Sequence, residues 1–202
     1  MTISMDDLLN SILESLDRID YIKTDEIPNI DLYMDQVTTF MDKKLKSSAR
    51  NPEEDKTLTK TMINNYAKNH LLPSPERKKY SKEHILLLIF IYYFKGILSI
   101  GDIQTLLTPV MEKYFKKENG LQLQDIYEEV FSFEKDEIDF LKKDITRKFQ
   151  TVQSTFQEAD EESAEFLRHF AFVCLLSFDV YTKKLIIEKI IDGMKEPQND
   201  EK

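Results

Sequence analysis

The chain has 202 residues, 41% hydrophobic and 32% charged, a globular composition that excludes disorder along its whole length. Lysine and arginine number 28 against 37 acidic residues, and the formal net charge of −9, taken alone, argues against nucleic-acid binding. With 4 glycines and 6 prolines there are too few turn-forming residues for a large all-β fold, so we expect a mainly all-α protein.

Two helices are predicted in the first quarter of the chain. Residues 5–19 place apolar side chains at helical spacing and acidic side chains on the other face. After a turn at residues 27–29, an apolar stripe over residues 33–45 predicts a second helix. The polar stretch 46–56 that follows is predicted to be a loop.

A third, shorter helix is predicted from its cap at Thr59 to about Asn69. Prolines end it, because proline disfavours the helical conformation in the residue before it, and residues 76–80 are predicted to form a short turn or β-ribbon. Apolar side chains, Ile63 and Tyr66 among them, face inward in this helix. Its outward face is rich in hydrogen-bonding groups, namely Lys60, Thr61, Asn64, Asn65 and Lys68.

The rest of the chain is predicted to be helical as well. Ser81 caps a fourth helix to about Lys95, and its nearly continuous apolar residues predict burial on all sides. Ser99 and Asp102 form a capping pair for a short fifth helix that reaches Leu107. Further helices are predicted over residues 109–117, 123–133, 135–156 and 161–194.

No motif of a catalytic, metal or cofactor site is found. The histidines and the one cysteine lack zinc-ligand spacing, and the four glycines form no phosphate-binding loop. We therefore expect no cofactor, no metal and no enzymatic activity. The longest apolar run, residues 85–94, is shorter than the roughly 18–20 residues of a membrane span, and the N-terminus lacks a secretory signal. The expected location is the cytoplasm, without membrane association.

Two local patterns in the C-terminal half admit a site but favour a structural role. Glu165 and His169 follow the acidic residues 160–162, and such a group could hold a metal, but it is more typical of the first turn of a helix. Cys174 has apolar neighbours, which is more typical of a buried inert thiol than of a redox sensor.

The charge is unevenly distributed along the chain. Residues 43–82 contain 11 basic and 4 acidic residues, a net charge of +7, while the other 162 residues carry 17 basic and 33 acidic, a net charge of −16. The positive block coincides with the short third helix and with the turn at Arg77, Lys78 and Lys79. Asparagine can bind adenine in the major groove and lysine or arginine neutralises phosphates, so this pattern has the chemistry of a recognition helix with a wing. A merely solvated face is the alternative.

Residues 61–107 carry an ordered set of features that resembles a known family. Tyr66 is followed by His-Leu-Leu-Pro at 70–73, by Lys-Lys-Tyr-Ser at 78–81 and by LSIGDIQTLL at 98–107. MerR-like regulators show a similar order: a recognition helix ending in a tyrosine, a "GLLPP" step, a wing closing on Arg-x-Tyr-Ser, and a helix with a "G-x-S-L-x-x-I-x-x-L-L" pattern. The segment therefore resembles the winged helix-turn-helix of MerR-like regulators.

The wider segment from residue 31 onward also resembles an uncharacterised bacterial domain-of-unknown-function family regarded as DNA-binding regulators. These resemblances imply an N-terminal helix over 1–30, a winged helix-turn-helix DNA-binding domain over 31–107 and a helical C-terminal domain over 108–202. The implied function is that of a bacterial transcriptional regulator that binds duplex DNA. The implied groove-facing residues are Lys60, Thr61, Asn64 and Asn65, and the implied contacts to the DNA backbone come from Tyr66, Lys68, Arg77, Lys78 and Lys79.

The alternative hypothesis is a helical interaction or scaffold module that does not bind DNA. In that case the acidic C-terminal half binds a basic partner, and the basic block only solubilises the protein or packs against that half. Burial of Asn64, Asn65, Lys78 and Lys79 against the acidic half would exclude DNA binding in this conformation. If the chain is a regulator, a homodimer is expected, since helix-turn-helix proteins usually bind two half-sites.

The C-terminal half offers an apolar surface but no effector ligand can be nominated from it. Residues 166–191 carry the most apolar surface, which is either the dimer contact or the core of the C-terminal domain. The aromatic residues of this half are more typical of a core than of an effector pocket: Phe131, Phe133, Phe140, Phe156, Phe166 and Phe170.

Overall fold

The computed structural model describes residues 5–19, 21–46 and 57–195, and within these ranges the protein is mainly helical, as predicted. Two short strands, β1 (Leu32–Tyr33) and β2 (Lys79–Tyr80), pair antiparallel. Residues 47–56 of the predicted loop lie outside the described residues. The helices are α1 (Met5–Asp17), α2 (Met34–Leu45), α3 (Lys60–Lys68), α4 (Lys82–Phe94), α5 (Ile100–Tyr114), α6 (Leu123–Ser132), α7 (Glu134–Gln153) and α8 (Glu161–Lys195).

The chain divides into two compact units that do not coincide with the predicted boundaries at residues 30 and 107. Unit 1 comprises Met1–Tyr21 and Ser132–Ile187, and unit 2 comprises Ile22–Phe131 and Glu188–Lys202. Helix α8 therefore contributes residues to both units.

Unit 1 is built from α1, α7 and most of α8. Its buried side chains include Ile145 and Phe149 of α7 and Phe172 of α8. The rings of Phe149 and Phe172 meet edge to face, with centroids 5.8 Å apart. The predicted apolar face of α1 packs against this core through Leu9, Ile12 and Leu16. The expectation that the C-terminal aromatic residues form the core is wrong for Phe133, Phe140, Phe156, Phe166 and Phe170, which are all exposed. For Phe166 and Phe170 the reason is that α8 is apolar on opposite faces and unit 1 covers one of them. Phe140 lies on the exposed side of α7, and Phe133 and Phe156 lie outside the helices.

Unit 2 is organised around α4, whose residues from His84 to Ile91 are all buried, as the sequence predicts. A helix that is apolar on every side must be enclosed by other elements. β2 and α5 contact α4, and the apolar stripes of α2 and α3 are also buried. At the far end of the unit, the Tyr127 hydroxyl donates a buried hydrogen bond of 2.6 Å to the carbonyl of Ile22.

Helix α5 is longer than predicted. Ser99 caps it as expected, with its Oγ accepting the Asp102 N–H at 3.2 Å. The predicted break before Pro109 is wrong, because the helix continues through the proline to Tyr114. A proline inside a helix removes one backbone hydrogen bond and costs about 3 kcal/mol. The buried residues of α5, Ile103 and Leu107, precede Pro109, and the half-buried Val110, Met111 and Tyr114 continue the same helical face after it.

His84 is a buried histidine in the first turn of α4, with 1% of its surface exposed. Its Nδ1 accepts the N–H of Ser81 at 3.0 Å, and the rings of Tyr80 and Phe115 stand edge-on to the imidazole. Its Nε2 is buried without a hydrogen bond of normal geometry within the described residues, and the backbone of Ser74 and Pro73 interacts with the ring in the direction that raises its pKa. Burial, and then the positive charge of Lys116, lowers the pKa of His84 to about 4. The imidazole is therefore neutral in the folded protein at pH 7.

We expect His84 to make the fold sensitive to acid. A histidine in the unfolded chain titrates near pH 6.5, so below that pH the unfolded state binds a proton, whereas His84 in the folded state does not until the pH approaches 4. The neutral His84 therefore contributes roughly 2–3 kcal/mol to the free energy of unfolding. This contribution is fully present above pH 6.5 and is lost as the pH falls towards 4.

Urea denaturation between pH 7 and pH 4 tests this expectation. The variant His84→Gln should lose less stability over this range than the wild type, because glutamine does not titrate. The exposed His70 supplies the control, and His70→Gln should follow the wild-type pH curve. Equal pH slopes for the wild type and His84→Gln would contradict the assignment.

Candidate nucleic-acid interface

Helix α3 has well-defined ends, which hold it in one orientation. The Oγ1 of Thr59 accepts the N–H of Met62 at 3.2 Å, so the predicted N-cap is confirmed. At the other end His70 adopts a φ of +57°, and the N–H of Leu71 donates to the carbonyl of Tyr66 at 2.9 Å. This is a Schellman ending, in which the residue after the turn packs inward, and Leu71 is fully buried.

The two faces of α3 differ as the sequence predicts. Ile63 and Tyr66 are buried, with 0% and 9% of their surfaces exposed. Burial also raises the pKa of the Tyr66 hydroxyl above its usual value. Tyr66 thus lies in the core, where the helical spacing puts it, and not on the surface, where the resemblance implies a backbone contact. The exposed side chains are Lys60, Thr61, Asn64, Asn65 and Lys68, the five that were predicted to face outward.

The basic turn is a two-residue hairpin next to β2. The N–H of Lys79 donates to the carbonyl of Glu76 at 2.8 Å, and the two residues between them, Arg77 and Lys78, have φ values of +50° and +65°. Positive φ at both central positions defines a type I′ turn, which normally carries Asn and Gly. Left-handed backbone costs other residues about 1 kcal/mol or more each, so this turn holds two basic side chains at an energetic cost.

The charges around the turn leave its tip positive. Arg77 and Lys78 are exposed, whereas Glu76 forms an ion pair with Lys116, and this contact holds the pKa of the Glu76 carboxyl below its usual value. Lys79 is half-buried, and its ammonium lies 5.2 Å from the centre of the Tyr33 ring. Glu76 is therefore paired mainly with Lys116 and has only a smaller electrostatic interaction with Arg77.

The pairing of β1 with β2 connects these parts. Tyr33 is opposite Lys79, and α2, which begins directly after Tyr33, contacts both α3 and β2. The exposed face of α3 and the turn therefore belong to one packed assembly within unit 2. On the first turn of α3, Lys60 forms an ion pair with Asp35 of α2, which offsets the positive charge there.

A cleft of about 550 Å³ lies between α2 and the start of α3. Two of its side chains, Thr39 and Lys43, are exposed and stand one helical turn apart on α2, and neither was singled out from the sequence. The sequence signal for their proximity was their i, i+4 spacing, which places two side chains on the same face of a helix. The cleft is lined by Thr38, Thr39, Asp42, Lys43, Leu58, Thr59, Lys60 and Thr61.

Two other kinds of site are not found among the residues that the structure describes. No three His, Cys, Asp or Glu side chains come together in a group that could hold a metal ion. Across the same described ranges, no helix has both the length and the apolar character needed to cross a membrane.

Comparison with known proteins gives one match. The family model described as "Domain of unknown function (DUF1836)" matches residues 22–130. This range is nearly identical to the continuous part of unit 2, Ile22–Phe131, so the match covers both α3 and the basic turn. No curated protein and no solved structure matches the chain.

The strain in the basic turn leads to a stability prediction. Replacing Arg77 by Asn and Lys78 by Gly supplies the residues that a type I′ turn prefers, so the free energy of unfolding should rise by about 1–2 kcal/mol. Urea denaturation measures this change. The matched control is Lys78→Ala, which removes a charge but keeps a Cβ at positive φ and should not stabilise the protein. A double variant no more stable than the wild type would show that the turn is not strained.

Proposed function

The chain belongs to the DUF1836 family, whose description assigns no activity, and we propose that it is a transcriptional regulator that binds duplex DNA through α3 and the basic turn. The observation that carries this proposal is the polar face of α3, on which five hydrogen-bonding or basic side chains are exposed while the opposite face is buried. Of the four residues whose burial would exclude DNA binding, Asn64, Asn65 and Lys78 are exposed and Lys79 is half-buried.

The chemistry of α3 suits a recognition helix. Asn64 and Asn65 carry amides that can donate to and accept from the major-groove edge of adenine. Lys68 is exposed at the end of the same helix, where its ammonium can neutralise a phosphate. In this proposal the asparagines select sequence, and the lysine supplies affinity independent of sequence.

The order of elements supports a winged helix-turn-helix of the MerR-like type. β1 precedes α2 directly, and β2 precedes α4 with only Ser81 between them, so the β1–β2 pair ties both helices to the turn. In this arrangement α2 is the first helix of the motif, α3 the recognition helix and residues 76–80 a short wing. Arg77 and Lys78 at its tip contact the DNA backbone.

The net charge of the whole chain sets the expected salt dependence. A protein with a formal net charge of −9 is repelled by DNA at long range, so non-specific affinity should be weak and lost at moderate salt. A gel-shift assay with random duplex DNA tests the proposal. We expect binding at low salt that weakens steeply as salt is added, and no binding at any salt concentration would overturn it.

Substitutions in α3 and in the turn should have different effects. Asn64→Ala should reduce discrimination between the preferred and other sequences by about 1–3 kcal/mol. Lys78→Ala should weaken binding to all sequences alike and lower the slope of log affinity against log salt by about 1. The control is Lys143→Ala, an exposed lysine in unit 1, which should change neither quantity. If neither Asn64→Ala nor Lys78→Ala altered DNA binding, the DNA contact would lie elsewhere on the protein.

A further inference from the structure

The part of α8 that belongs to unit 1 has two apolar faces. One face packs inward: Phe172 is buried, and Leu175 and Leu176 lie against the same core. The other face is exposed, and Phe166, at 68%, and Phe170 and Val173, each at 59%, are open to solvent. Val180 and Tyr181 extend this exposed face towards the C-terminus. These five residues, Phe166, Phe170, Val173, Val180 and Tyr181, are called the α8 stripe below. Phe178, Leu185 and Ile186 of the same helix are also exposed but lie outside the stripe.

The spacing of the α8 stripe is that of a two-stranded coiled coil. Phe166, Phe170, Val173 and Val180 follow one another at intervals of four, three and seven residues, and Ser177 occupies the position that divides the last interval into four and three. Alternating intervals of four and three keep side chains on one seam between two helices. An identical helix carries the same seam, so a second copy of this chain has a matching surface.

The area of the α8 stripe is close to what a stable dimer requires. Aromatic side chains present about 150–250 Å² each, so at the observed exposures the five residues leave roughly 600 Å² open on each copy. A standard interface buries about 800 Å² per partner, and pairing two helices also covers residues that flank the seam. An apolar patch of this size is at the upper limit for a monomeric protein.

The charges along α8 determine the direction of pairing. Glu162 lies at its N-terminal end and Lys183 just beyond the stripe, and because they are three heptads apart they occupy the same position beside the seam. A parallel partner would place like charges opposite each other at both ends. An antiparallel partner places the acidic end of each copy beside the basic end of the other.

We propose that α8 pairs with α8 of a second copy in antiparallel orientation, with the two-fold axis between Phe170 and Ser177. The α8 stripe forms the seam, and the acidic and basic ends form ion pairs across it. This inference concerns unit 1 and holds whether or not unit 2 binds DNA.

Sedimentation equilibrium of the full chain at tens of micromolar, without nucleic acid, tests the pairing. The wild type should be a dimer, and Phe170→Glu and Val173→Glu should each raise the dimer dissociation constant by about a hundredfold or more. Both residues are exposed, so circular dichroism should show unchanged helix content. The matched control is Val130→Glu, a charge at an exposed apolar position of unit 2, which should remain dimeric. A monomeric wild type, or a Phe170→Glu variant that still dimerises, would overturn the proposal.

Charge reversal tests the direction. In an antiparallel dimer, Glu162→Lys places like charges opposite each other at both ends and weakens the dimer, and adding Lys183→Glu restores it. In a parallel dimer Glu162→Lys leaves like charges opposite each other, as before, and the affinity does not fall. An unchanged affinity would therefore overturn the antiparallel orientation. A dimer that fails to bind DNA would contradict the proposed function and leave this inference intact.

Discussion

The burial of α4 on every face is the constraint on which unit 2 depends. Eight consecutive residues from His84 to Ile91 are withdrawn from water, and a single helix of this kind is unstable unless other elements enclose it. Enclosure requires apolar surfaces from neighbouring elements, of which β2 and α5 contact α4. In the same unit α3, which contacts α2, turns Ile63 and Tyr66 inward. Once these residues are fixed, the helical repeat determines which residues of α3 face solvent. The exposed polar face of α3 is thus a geometric result of how the core is covered.

Features that depend on neighbouring residues were predictable from the sequence. The N-caps Thr59 and Ser99 and the bounds of α1 to α4 follow from capping residues and apolar spacing, which act over a few residues. Tyr66 shows the value of that local signal, because helical spacing places it in the core and the structure agrees, whereas the family resemblance transferred a surface contact to it. The family motif thus indicated which residue type stands at this position but not whether its side chain is exposed.

Features that depend on distant residues were not predictable in this way. Arg77 and Lys78 have no local preference for left-handed backbone, and they adopt it next to a strand that pairs with residues 32 and 33. Similarly, no local rule predicts that α5 continues through Pro109 to Tyr114. The composition of unit 1 is also non-local: an apolar stripe shows that α1 needs a partner, but not that the partner is α7, more than a hundred residues later.

The path of α8 has a consequence for how separable the two units are. Its last turns belong to unit 2, where Ile191 is 1% exposed and the Lys195 ammonium lies 2.9 Å from the Asp102 carboxylate in the first turn of α5. The segment that matches the family, residues 22–130, does not include these turns. A fragment cut to that segment lacks a piece of its own interior and exposes the apolar surface that Ile191 covers. Unit 2 is therefore discontinuous in sequence. A gene fusion or truncation that keeps only residues 22–130 removes the end of α8, which completes the unit.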